Sequence, residues 1–269
     1  MEPERKIPRI THQIWFQGWD KLPAKFQVNA DALAQMNPDY THMKWDEQSL
    51  RAECLKMGPE VAAKYDSFPI MMQKIDLGRY AALYHYGGVS VDTDMVQLKP
   101  IDVTPDIHAA SLMVSTPGFP MNLMGYTTNS ALIITQPQHP ILFELIQTIV
   151  ANTTTQADYK LKEQYIAATT GPNMVASVFT KYRDDIVFLD NKYFEPCYSL
   201  DPICSVNKDT IMDHQHDLSW QSNAVKLFQQ FMFILLYISF IVIPAGILYG
   251  GYRLFTSRWF AKVIRKVRG

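Results

Sequence analysis

The chain has 269 residues, of which 48% are hydrophobic and 19% charged, with a formal net charge of -1. That supplies a packed core and excludes a disordered chain. The charge is uneven: residues 253–269 hold six basic side chains and no acidic one, leaving 19 basic against 26 acidic elsewhere. A mildly acidic body argues against a nucleic-acid binder, while a basic tail beside an apolar stretch points to a membrane surface.

From the N-terminus, Met1 to Ala30 lacks the apolar core of a signal peptide, because Arg5, Lys6, Arg9, Asp20, Lys21 and Lys25 interrupt it. Ile7 to Phe16 has strand character and closes at Gly18. Lys25 to Met36 reads as a helix stopped by Asn37-Pro38, and Tyr40 to Trp45 as a second strand. Asp46 is the expected N-cap of a helix over Glu47 to Met57 that ends at Gly58-Pro59. Met71 to Tyr86 reads as a helix closed by Gly87-Gly88. Val89 to Val91 is a short strand running into Asp92-Thr93-Asp94. Leu132 to Thr135 and Ile186 to Leu189 read as later strands, Pro140 to Asn152 and Asn173 to Tyr182 as later helices. Strands alternating with helices predict an α/β domain with a largely parallel sheet.

Phe231 to Tyr252 is about 22 residues without a charge, a helix of about 33 Å against a bilayer core of about 30 Å. Pro244 and Gly246 leave room for a kink or a re-entrant turn. Beyond it, Leu254, Phe255, Trp259, Phe260, Val263, Ile264 and Val267 recur among basic residues, the pattern of a helix lying in the interface. The expected organisation is a catalytic body over residues 1–222, a transmembrane or re-entrant segment over 227–252 and a basic amphipathic tail over 253–269. Basic residues after the apolar run favour a cytosolic tail and a body on the lumenal side of a Golgi- or ER-type membrane, whereas a re-entrant hairpin turning near Pro244 would leave body and tail both on the cytosolic side. Asn152-Thr153-Thr154 is a glycosylation sequon consistent with that side. Cys54, Cys197 and Cys204 lack metal-ligand spacing; a Cys197–Cys204 bridge is compatible with the sequence, and free thiols are the expectation.

Asp92 and Asp94 are alternate residues at a strand end, so their carboxylates can converge on one cation such as Mg²⁺ or Mn²⁺. Acidic pairs at that spacing are also common on surfaces. The carboxyl end of a strand in an open α/β sheet is where ligands bind. Asp76 and Arg79 lie three apart on the preceding helix and share a face. They are either an internal surface ion pair or a carboxylate for sugar hydroxyls beside a guanidinium for phosphate.

The run from Lys74 through Asp76, Arg79 and Gly87-Gly88 to Asp94 resembles the DxD-containing sugar-binding region of glycosyltransferase family 32. Ile7 to Trp15 is similar to that family's first strand, and Asn129, Pro137 to Pro140, Thr170-Gly171-Pro172, His214 and Ser219-Trp220 follow in matching order. The family includes yeast-type initiating and inositol-phosphoceramide mannosyltransferases. The resemblance implies the nucleotide-sugar glycosyltransferase type A fold and hexose transfer with retention of configuration. It implies that Trp15 stacks on the nucleotide base and that Asp76 and Arg79 contact the transferred sugar. Asp94 would ligate Mn²⁺ or Mg²⁺ directly and Asp92 would hold the ribose, the sugar or the metal, with His214 the far metal ligand, His216 the runner-up and Asp217 third. Asn129 and Gly171 would face the sugar or acceptor, and Ser219 and Trp220 the diphosphate. The expected donor is GDP-mannose, with UDP-glucose or UDP-galactose the alternative, and the expected acceptor a membrane-associated glycolipid or glycan. Ser90 stands where the family places an aromatic residue, so a sugar-nucleotide-binding protein without turnover stays open. A Mg²⁺-dependent phosphohydrolase also uses paired aspartates, but lacks a convincing further acidic set here.

Overall fold

The computed structural model describes residues 5–118, 122, 127–197, 205–217, 221–256 and 266–267. It divides into two compact units, residues 1–220 and 221–269.

The first unit is built on a six-stranded sheet in the order β2 (Thr41–Trp45), β1 (Ile10–Ile14), β3 (Gly88–Ser90), β6 (Asn129–Thr135), β5 (Leu112–Ser115), β7 (Val187–Leu189). β1 runs parallel to both β2 and β3, and β5 runs parallel to β7. β6 is antiparallel to β3 and to β5, so the sheet is mixed. This reversed strand puts its first residue, Asn129, opposite the end of β5, with Asn129 paired to Ser115. A separate antiparallel pair joins β4 (Met95–Gln97) to β8 (Met212–His214), with Met95 opposite His214.

Both sheet faces are covered, which is why the central strands read as nearly continuous apolar runs. One core contains Leu112, Val114 and Ile133 of the sheet with Leu50, Tyr65, Leu77, Leu83, Leu145 and Phe179. The other contains Val89, Met113, Leu132 and Ile134 with Leu33, Phe194 and Met212. The alternation of Leu132, Ile133 and Ile134 between them is the period of two expected of a strand.

The helices follow local chemistry. α1 (Ala24–Met36) precedes β2. α2 (Glu47–Met57) starts from Asp46, whose carboxylate accepts from Ser49 N while Ser49 Oγ accepts from Asp46 N, each at 2.8 Å. Gly58-Pro59 ends α2 as expected, but Pro59 also opens α3 (Pro59–Ser67), because the first helical position needs no N–H. α4 (Met71–Tyr86) has the predicted limits and is buried from Ile75 to Leu83. Gly78 lets it lie against α2: a Cβ there would come 2.7 Å from Leu50 Cβ. Gly88, at φ 99°, turns the chain into β3, where a Cβ would come 2.4 Å from Ile10 O. α5 (Pro140–Ala151), α6 (Lys162–Thr169), α7 (Pro172–Phe179) and α8 (Asn191–Phe194) complete the first unit. Cys54 is a buried free thiol. Cys197 is disulfide-bonded, which corrects the free-thiol expectation at that position; Cys204 lies outside the described residues.

The second unit holds α9 (Asn223–Phe255), 33 residues with a mean hydropathy of 2.6 over its most apolar window. It is long and apolar enough to cross a membrane and runs through Pro244 without turning back, so no re-entrant turn forms among the described residues. Most of the expected interfacial tail lies outside the described residues.

One buried polar contact ties the sheet to α4. His12 Nδ1 accepts from Trp45 Nε1 at 3.1 Å, and His12 Nε2 bonds the Gly87 carbonyl at 2.7 Å. The indole N–H can only donate and the carbonyl can only accept, which fixes a neutral ring with its proton on Nε2. Burial drives the imidazole down to about 4, against the opposing pull of Gly87 and Glu53. The folded value lies below the ordinary 6.5, so this contribution is complete above pH 6.5 and is lost as pH falls toward 4. His12→Gln is expected to flatten the fall in stability between these limits by up to about 3 kcal/mol. Denaturant melts of both proteins across that range check it; parallel pH curves would show that His12 titrates normally.

Candidate active site

The site forms where β3 ends. Val91 N donates to His12 O at 3.0 Å and Met95 N to Asp92 O at 3.1 Å, so Asp92-Thr93-Asp94 is a tight turn between β3 and β4. α1 braces it from outside, with Asn29 Nδ2 donating to Thr93 O at 3.0 Å.

Asp94 is held from the far end of the unit. The pairing of β4 with β8 brings Gln215 N to Asp94 O at 3.1 Å and Asp217 N to Asp94 Oδ2 at 2.7 Å. His214 Nε2 then faces Asp94 Oδ1 at 3.4 Å. Burial pushes the Asp94 carboxyl up, but the hydrogen bond and charge of His214 outweigh it and hold it at about 2. Burial likewise opposes a charge on His214, yet Asp94 and Glu195 on its two sides hold it well above its ordinary range.

Arg79 crosses from α4 to the turn. Its Nη2 meets Asp92 Oδ1 at 2.5 Å and its Nη1 donates to Ser130 O at 2.7 Å. Its Nε is buried without a hydrogen-bond partner among the described residues. The carboxylate partner of Arg79 is thus Asp92, and the surface ion pair with Asp76 does not form. Asp76 is buried and accepts from Thr170 Oγ1 at 2.8 Å. Burial lifts its carboxyl to about 6, despite Arg79 and Thr170. Tyr80 Oη donates to Thr170 O at 2.8 Å, and Thr128 Oγ1 donates to Pro172 O at 3.1 Å. Thr170 and Gly171 therefore lie beside Asp76, and Gly171 caps α7.

Trp15 follows β1 and packs on Phe26 of α1, ring centroids 5.4 Å apart. Lys25 on the same helix pairs with the Asp217 carboxylate at 2.5 Å, so Asp217 meets the turn through its backbone and α1 through its side chain. Trp15 Nε1 is buried with no partner among the described residues. Asn129 donates through Nδ2 to Glu195 Oε2 and accepts from Ala131 N at 2.9 Å. Ser90 is buried in β3. Ser219 and Trp220 lie outside the described residues.

Glu195 has no counterpart in the sequence reading. It follows α8, which is tied to β8 by Ile211 N donating to Tyr193 O at 2.7 Å. Its Oε1 lies 2.9 Å from His216 Nε2 and 3.4 Å from His214 Nδ1. Burial pushes it up, but the two histidines pull it down to about 2. The only signal that could have found it is tertiary, since nothing in Phe194-Glu195-Pro196 marks a site residue.

Asp92, Asp94 and His214 offer ligand atoms within 4.8 Å of one another. Two hard carboxylates and one imidazole fit Mn²⁺ or Mg²⁺, and the nitrogen favours Mn²⁺.

A mixed α/β sheet with an acidic turn at a strand end, a facing histidine and a buried arginine is the fold class of the type A glycosyltransferases. Residues 23–111 match the family model described as the glycosyltransferase sugar-binding region containing DXD motif. That match spans α4 and the DxD turn, the part of the chain whose motifs resemble glycosyltransferase family 32. It is 28% identical over 208 residues to an uncharacterized glycosyltransferase of Acanthamoeba polyphaga mimivirus, covering 71% of this chain and 74% of that one. It is 25% identical over 177 residues to inositol phosphoceramide mannosyltransferase 3 of Schizosaccharomyces pombe, covering 66% of this chain and 46% of the relative. Among solved structures it is similar to the PaToxG glycosyltransferase, with a TM-score of 0.50, 18% identity and coverage of 67% and 71%, a likeness of fold. The chain spans about half the length of the fungal mannosyltransferases it matches.

Arg79→Lys tests the guanidinium. A single ammonium cannot hold Asp92 and Ser130 O together and leave Nε–H free. Donor kcat/KM should fall about 10- to 100-fold, the worth of a charged hydrogen bond. Unchanged steady-state kinetics would return Arg79 to a structural role.

Proposed function

We propose that the chain transfers a hexose with retention of configuration, mannose from GDP-mannose, onto a membrane-associated glycolipid or glycan. The observation that carries this reading is Asp94 facing His214 at 3.4 Å while Arg79 clamps Asp92 at 2.5 Å. The choice of mannose is supported by the mannosyltransferases among the relatives.

Asp92, Asp94 and His214 would hold a divalent cation, which when bound neutralises charge on a diphosphate. The Arg79 guanidinium, desolvated and already oriented by Ser130 O, stabilises negative charge developing on the leaving group. Asp76 accepts from hydroxyls of the transferred sugar, with Thr170 fixing its carboxylate. Trp15 gives the base a stacking face. The bond from the anomeric carbon to the diphosphate oxygen breaks, and the bond to the acceptor oxygen forms on the same face. The acceptor proton passes to the departing diphosphate. Ser219 and Trp220 are assigned to that diphosphate by the family resemblance alone.

α9 is read as the anchor, with the body lumenal and the basic tail cytosolic. The six basic residues after the apolar run support this. So does the Cys197 disulfide, since such bonds persist in oxidising compartments. The sequon at Asn152 fits the same side.

Asp94→Ala should abolish transfer, because one ligand of the cation is lost, and should lower the thermal melt without unfolding the chain, because His214 and Asp217 N lose a buried partner. Incubating the protein with a panel of sugar nucleotides and Mn²⁺, and following donor loss by mass spectrometry, tests both the class and the donor. Loss of a UDP-hexose alone would replace mannose. Retention of more than about a tenth of the rate in Asp94→Ala would remove the metal assignment.

Protease protection of sealed vesicles, with tags at both ends, tests the orientation. The N-terminal tag should be protected and the C-terminal tag digested; digestion of the N-terminal tag would put the body in the cytosol.

A further inference from the structure

The metal-facing histidine has two edges, and only one points at the DxD turn. His214 Nε2 faces Asp94. Its Nδ1 is buried, lies 3.4 Å from Glu195 Oε1, and makes no aligned hydrogen bond among the described residues. Glu195 is itself 6% exposed. Its two oxygens have separate duties: Oε2 accepts from Asn129 Nδ2, and Oε1 lies against ring nitrogens of the two stacked histidines, 2.9 Å from His216 Nε2. Those rings have centroids 3.9 Å apart, and His216 occupies the left-handed region at φ 49°, a conformation that costs energy unless the surroundings impose it.

We infer that Glu195 is a positioning residue for this transferase: it orients His214 through Nδ1 so that Nε2 is presented to the cation, and it ties that histidine to Asn129. The inference rests on the reading of Asp92, Asp94 and His214 as the metal ligands. A ligating imidazole that gives its second N–H to a carboxylate is fixed in tautomer and angle, and is a better ligand for it. Asn129 opens β6 beside Ser130, whose carbonyl holds Arg79. One carboxylate thereby connects the cation side of the cleft to the strand that carries the leaving-group arginine.

The amide in Glu195→Gln has nearly the same shape but only one acceptor oxygen. It cannot accept from Asn129 on one edge and from the histidines on the other. The measurement is Mn²⁺ affinity by titration with electron paramagnetic resonance, without donor or acceptor, on the full chain. Glu195→Gln, shown folded by its thermal melt, should bind Mn²⁺ about 10- to 100-fold more weakly than the wild type. Asp94→Ala in the same titration reports on the ligand set. If Asp94→Ala loses Mn²⁺ while Glu195→Gln stays within about twofold of the wild type, the positioning role of Glu195 falls and the metal site stands. If Asp94→Ala binds as the wild type does, the ligand set fails and this inference falls with it. Should Glu195→Gln fail to fold, Asn129→Ala removes the clamp without touching the charge. It should weaken Mn²⁺ binding in the same direction, and an unchanged affinity would overturn the inference.

Discussion

The site depends on a three-residue strand pair. β4 follows the DxD turn directly, and β8 arrives more than a hundred positions later to lie antiparallel beside it. That pairing puts two backbone N–H groups on Asp94, one on its carbonyl and one on its carboxylate. It also sets the His214 ring against the same carboxylate. Without β8 the two aspartates would be a charged turn on a sheet edge. With it their ligand atoms lie within 4.8 Å of those of His214, which comes from a remote part of the chain.

The surrounding elements hold that pairing at its margins. α1 reaches both sides, through Asn29 to the Thr93 carbonyl and Lys25 to Asp217. α4 supplies Arg79 and Asp76 from one face, and its closeness to α2 rests on the missing side chain of Gly78. α8 delivers Glu195. Arg79 faces Asp92, and His214 faces Asp94 on one side and Glu195 on the other, so the buried charges of the cleft are paired with opposite ones.

The sequence was most legible where local chemistry decides structure. α4 ends where Gly87-Gly88 requires it, Asp46 caps α2, and the DxD turn follows a strand as its flanking residues demand. Asp76 and Arg79 were singled out by spacing on one helix face, but spacing could not reveal that each has a different partner. α3 was hidden because Gly-Pro serves equally as a stop and as a start. β4 and β8 are too short to carry a periodic signal, and Glu195 joins the site only through packing. β6 could not be read as reversed, because alternation in a strand carries no direction. The disulfide at Cys197 is a matter of proximity that spacing left open.

Asp76 shows what the cleft asks of the rest of the molecule. Its carboxyl is buried against one hydroxyl, and its folded value of about 6 lies above that of a free aspartate. The sign is the reverse of an ordinary salt-bridged aspartate: its ionised form disfavours the fold as pH rises toward neutrality. A neutral amide of the same shape would be easier to bury. The fold therefore tolerates this carboxylate rather than needing it, and α4 is kept less stable at the middle of its buried face than its packing alone would allow.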